Sequence, residues 1–245
     1  MNELGALVSI LVFLVFSGLM AGGVLGMMFG FILKTKIERL FVLCGGLLLG
    51  LITFELIPES LEQYRGLGLI LGALSGTLLM TVTDTFLHKT FVNSQVKSEH
   101  LHSFLFLVFA ICIHNLPTGL ALGANMESSA LHLSPLLTAT FLHHIPEGLT
   151  LMASIALVGY KYLLFLVSTV FLSLVLGGSF FTGLAIGEQS HKLNTLLMGG
   201  AIGTLAFVTV HELLLKYKKR MNNREFLLYG VLGLMFMYFF LQWVH

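Results

Sequence analysis

The amino-acid sequence predicts an all-α integral membrane protein of eight transmembrane helices. Three observations carry that prediction. The chain of 245 residues is 56% hydrophobic and only 10% charged, with a mean hydropathy of +0.93, whereas soluble domains carry about 25% charged residues. Eight apolar stretches have the length a helix needs to cross a bilayer, roughly 20 residues. The basic residues fall on alternate connections, as they do when a chain threads back and forth across a membrane.

The spans run 4–33, 40–57, 66–86, 103–126, 133–159, 162–187, 193–215 and 226–244. They use up most of the chain, so residues 1–245 are expected to form a single transmembrane domain. Span 1 opens on one acid, Glu3, and lacks the basic segment of a signal peptide. Span 2 closes on "FELIPES". Span 3 ends with Asp84 and His88, spaced i, i+4 as a surface pair. The longest connection follows, 87–102, holding His100 and His102. Spans 4 and 5 carry the polar motifs discussed below. Span 6 has no acid before Glu188, at its outer end. Span 7 ends "HELLLKY" beside a basic run, and span 8 finishes the bundle. Cys44 and Cys112 lie within apolar runs and read as buried free thiols, not a disulfide framework. Glycine clusters in the spans allow helices to approach closely.

Orientation follows from lysine and arginine. Lys34, Lys36, Arg39, Lys89, Lys97, Lys161, Lys216, Lys218, Lys219, Arg220 and Arg224 all fall on odd-numbered connections. Only Arg65 and Lys192 fall on the other side. The odd connections are therefore cytoplasmic, and both termini face outward. "FELIPES" in span 2 and "HELLLKY" in span 7 suggest a 3+2+3 inverted-repeat arrangement, three spans on each side of a central pair. The net charge of +1 argues against nucleic acid as a partner.

The chemistry concentrates in the central pair. Span 4 contains "HNLPTGL" (114–120) and span 5 "HHIPEGL" (143–149), sharing His-x-x-Pro-x-Gly-Leu. At 1.5 Å per residue, His114 lies about 16 Å deep from one side, and His143 and Glu147 about 15–21 Å deep from the other. Polar groups at the midplane are costly, and they face interior cavities that serve function. His143 and Glu147 are i, i+4 and share a helix face, as do His114 and Thr118. Asn115 and His144 sit about 100° round from their neighbours and are placed to line the same pathway. Pro117 and Pro146 each deprive a carbonyl one turn back of its helical donor, which is tolerated at this depth where it lines a wet cavity. Gly119 and Gly148 are expected to let the two helices pack closely. Imidazole nitrogen with carboxylate and amide oxygen suits a borderline divalent metal: zinc first, with iron, manganese or cobalt also accommodated.

At these two motifs the chain resembles the ZIP (Zrt/Irt-like) family of divalent metal transporters. The resemblance extends to the eight spans, the outward termini and a longer third connection carrying histidines. It implies movement of a divalent metal, zinc foremost and iron, manganese, cobalt or cadmium as alternatives, toward the cytoplasm through a midplane site between spans 4 and 5. By position His114, Asn115, His143, His144 and Glu147 match the family's metal-pathway residues. The metal is cargo, with no permanent cofactor, and the protein is expected not to be an enzyme. Its expected partners are the metal, the bilayer of the cell membrane and a second copy in a homodimer.

Two departures matter. Thr118 stands where family span 4 usually has glutamate, and span 6 lacks the carboxylate many members use. A single-metal site is the resulting expectation. Glu55 reads as a solvated end group or an outer-side metal contact, and His211 with Glu212 as an interfacial pair or an inner-side contact. His100 and His102 read as solvated loop residues or a cytoplasmic relay. Competing functions are an intramembrane metal-dependent hydrolase, for which "HELLL" lacks the second histidine of a zincin, and a channel or sensor on the same fold.

Overall fold

The computed structural model describes residues 2–32, 37–63, 65–93, 99–124, 133–158, 162–186 and 191–244, and among them there is no strand. Eight helices follow one another. They are α1 (Asn2–Ile32), α2 (Ile37–Leu51, continuing through a π-helical segment Ile52–Leu56 into Ile57–Gln63), α3 (Gly66–Asn93) and α4 (Glu99–Ala124). Then come α5 (Leu133–Val158), α6 (Tyr162–Ile186), α7 (His191–Phe207, continuing through a π-helical segment Val208–Leu215 into Lys216–Lys218) and α8 (Asn223–Val244).

Each helix coincides with one expected span, but several run further. The expected connection 87–102 is largely helical, since α3 continues to Asn93 and α4 restarts at Glu99. Hydropathy marks where a helix leaves lipid, not where its hydrogen bonding stops. For the same reason Glu55 does not end span 2: it sits inside the π-helical segment, and helix continues to Gln63. His88, His100 and His102 have side chains outside the described residues.

Among the described residues, seven of these helices are long and apolar enough to cross a membrane. The remaining one, α5, carries His143, His144, Pro146 and Glu147 and is closely enclosed: from His143 to Ile155 every residue except Ile145 is buried. A helix surrounded by protein needs no lipid-facing surface of its own. The outer helices do the opposite. α3 exposes Leu67, Ile70, Leu74, Leu78, Val82 and Phe86, and α8 exposes Leu228, Val231, Leu232, Met235, Phe236 and Phe239.

The helices pack in two sets. In the first, α1 lies on α5 and α6, and α4 lies on α5 and α6. In the second, α2 lies on α7 and α8, and α3 lies on α7. The sets meet mainly along α4 with α7 and α2 with α5. Within the second set Phe41 stacks on Tyr217 with ring centroids 4.4 Å apart. Arg39 there makes a two-pronged pair with Glu225 of α8, its Nε donating to Oε2 at 3.2 Å and its second nitrogen to Oε1.

Glycines form the seams inside each set. A Cβ on Gly148 would strike the backbone of Leu19 on α1, and one on Gly119 would strike Ser179 Oγ and the Leu176 carbonyl on α6. These two glycines were expected to bring α4 and α5 together. Each instead serves a different neighbour, because five residues along an α-helix from the motif histidine is about 140° around the axis.

Candidate metal centre

The site forms where α4, α5 and α7 converge. His114, Asn115, His143, His144 and Glu147 are all buried, between 1% and 8% exposed. Three of them cluster: His114, His143 and Glu147 each offer a ligand atom, and these atoms lie within 4.8 Å of one another. The Nε2 atoms of His114 and His143 are 3.0 Å apart, with their rings stacked at a centroid distance of 5.1 Å. His143 Nε2 is 3.3 Å from Glu147 Oε1. Two ligands about 2.0–2.2 Å from a tetrahedral zinc stand about 3.4 Å apart, so these spacings suit one ion touching all three.

Backbone carbonyls set the imidazole tautomers. A carbonyl oxygen only accepts, so the nitrogen facing it carries the proton. His114 Nδ1–H donates to the Ala201 carbonyl of α7 at 2.9 Å. His144 Nδ1–H donates to the Thr140 carbonyl one turn back at 2.7 Å. In the neutral ring each Nε2 then carries the lone pair. For His114 that lone pair points into the cluster. A backbone acceptor behind a ligating imidazole is a common way of fixing its orientation.

Several polar atoms here have no hydrogen-bond partner: both carboxylate oxygens of Glu147, Nε2 of His144 and both amide atoms of Asn115. His144 Nε2 is 3.8 Å from Glu147 Oε2, the oxygen other than the one nearest His143. Buried polar groups normally find partners, and an uncompensated buried carboxylate costs roughly several kcal/mol. Positive charge arriving at Glu147 removes that cost. The carboxylate thus has a donor-poor, electron-rich environment fit for a cation.

Thr118 does not reach into this cluster with a free hydroxyl. Its Oγ1 donates to the His114 carbonyl at 2.9 Å, and Thr150 does the same to the Pro146 carbonyl at 2.7 Å. Both prolines lie inside continuous helices. Beside the cluster, Leu48, Leu107, Ala110, Ile111, Leu205, Val208 and Leu213 line a cavity of about 10 Å³ with His114, Glu147 and Thr150. That is about the room one water requires, and the wall around it is apolar.

The remaining candidates sit apart. Glu212 accepts from Lys216 Nζ at 2.8 Å, and His211 Nδ1 lies 3.3 Å from it. Cys44 and Cys112 are both free, the first buried and the second partly so. The contribution of α7 escaped the sequence reading. Ala201 and Thr204 lie in a glycine-rich apolar span and carry no motif, and only their position across from His114 distinguishes them.

The fold and the enclosed cluster of imidazoles and carboxylate define a helical protein of the membrane-spanning class. The ZIP zinc transporter family model matches residues 92–241, and the chain belongs to that family. It is a family of transporters, not enzymes. No curated protein matches the chain.

Proposed function

We propose that this protein carries a divalent metal ion, zinc foremost, toward the cytoplasm, and that His114, His143 and Glu147 hold the ion in transit. The observation that carries the reading is the cluster of three ligand atoms within 4.8 Å, enclosed where the two helix sets meet. Asn115 and His144 flank it and offer further polar atoms to an ion entering or leaving. Iron, manganese, cobalt and cadmium are the alternatives to be compared with zinc. The hydrolase reading is not favoured, because the family is one of transporters.

The site holds one metal at a time in this reading. A second dication within about 4 Å would be repelled by several kcal/mol or more even after screening. The family's usual offset is a further carboxylate, and here Thr118 stands in its place with its hydroxyl committed to the His114 carbonyl.

The reading includes α5 as an eighth span and a 3+2+3 inverted repeat, with both termini outside the cell membrane. Support comes from the packing. Exchanging α1 with α6, α2 with α7, α3 with α8 and α4 with α5 maps the α1–α5 contact onto α6–α4, and α3–α7 onto α8–α2. The two π-helical segments fall on the paired sequences "FELIPES" and "HELLLKY".

Purified protein in liposomes enclosing a metal-sensitive dye tests the function. Zinc added outside should raise the signal in vesicles containing the parent protein and not in those containing Glu147→Gln. Equal signals from the two would overturn the reading.

A further inference from the structure

We infer that Thr204 of α7 is a positioning residue for the metal site, acting through His114. The inference rests on the proposed role of His114 as a metal ligand. It starts from a hydroxyl whose proton is already placed. Thr204 Oγ1 donates to the Ala201 carbonyl at 2.8 Å and lies 3.4 Å from His114 Nδ1. With its single proton directed at Ala201, the hydroxyl presents a lone pair to His114. The Nδ1–H of His114 therefore faces two acceptors from α7, the Ala201 carbonyl at 2.9 Å and the Thr204 oxygen. Thr204 is 1% exposed and His114 3%, so no bulk water replaces either acceptor.

This has two consequences. The ring of His114 is held in one tautomer and one orientation, with Nε2 toward His143 and Glu147. The grip also crosses between helix sets, since His114 is on α4 of the first and Thr204 on α7 of the second. The best-oriented form of the ligand thus exists only when α4 and α7 are docked as they are here. Metal affinity is thereby tied to the relative position of the two sets, through a residue that does not touch the ion.

The test is a zinc titration of detergent-purified protein by calorimetry. Thr204→Val removes the hydroxyl and nearly preserves volume, and it should weaken binding by about 10-fold, in the range seen for groups behind a metal ligand. Thr204→Ser, which restores the hydroxyl, should bind as the parent does. In a His114→Ala background, Thr204→Val should have no further effect, because its route to the ion is gone. A merely structural role in helix packing would weaken binding equally in both backgrounds. Equal weakening, or parental affinity for Thr204→Val, overturns the inference. If Thr204→Val elutes as aggregate, Thr204→Ala carries the same comparison. Parental affinity for His114→Ala would overturn the site assignment itself, and this inference with it.

Discussion

At the scale of residues, the centre depends on three donors acting on one ion. His114→Ala, His143→Ala and Glu147→Gln should each bring uptake in liposomes down to background. Because they share a ligand, pairs of these changes should be non-additive in metal affinity, and simple additivity would place them at separate sites. Thr118 tests the one-metal reading. Thr118→Glu puts a carboxylate one turn from His114 on the same face and breaks the hydroxyl's bond to the His114 carbonyl. It should raise the zinc bound at saturation, or tighten its binding and slow turnover. Two metals found in the parent by anomalous scattering would count against the reading.

Elements depend on what each helix can approach. Gly148 lies against the Leu19 backbone of α1, whereas nothing stands within 4 Å of a Cβ on Gly178 of α6. Gly148→Ala must push backbone against backbone and should cost about 1–3 kcal/mol. Gly178→Ala should be neutral or stabilising by up to about 1 kcal/mol, since alanine is the better helix former. Thermal unfolding of the two variants in the same detergent distinguishes them, and equal melting temperatures would show that the α1–α5 seam tolerates separation. The prolines act on the same helices in a different way. Pro117→Ala and Pro146→Ala restore a backbone donor to carbonyls that the proline ring excludes. If those carbonyls serve the ion, uptake falls further than protein abundance. Parental uptake by both variants would leave the prolines a packing role alone.

At the scale of the whole molecule, the proposal sets a direction as well as a bundle. Eleven of the 13 basic residues lie on the connections expected to be odd-numbered, and the proposed topology puts those connections in the cytoplasm. Cysteine introduced at position 63 should react with an impermeant reagent on intact cells, and cysteine at position 94 should react only after permeabilisation. The native thiols give little background, since Cys44 is buried and Cys112 partly so. The reverse labelling pattern would overturn the proposed orientation.

The sequence by itself determined the class of fold, the number of long helices and the family. Apolar runs and basic asymmetry are one-dimensional signals, imposed by a bilayer that acts as solvent on every span alike. It also singled out the residues of the candidate centre, because "HNLPTG" and "HHIPEG" place polar groups where they are costly, and i, i+4 spacing is enough to put His143 beside Glu147. Only the tertiary structure decided what those residues meet. That Gly119 packs on α6 and Gly148 on α1 follows from the angle each motif presents to its neighbours, which no local pattern records. That His114 donates to Ala201 beside Thr204 follows from the approach of α7, almost ninety residues on in the chain. Contacts between helices distant in sequence are set by the shapes of whole faces. In an apolar span of small residues, many faces look alike until they are packed.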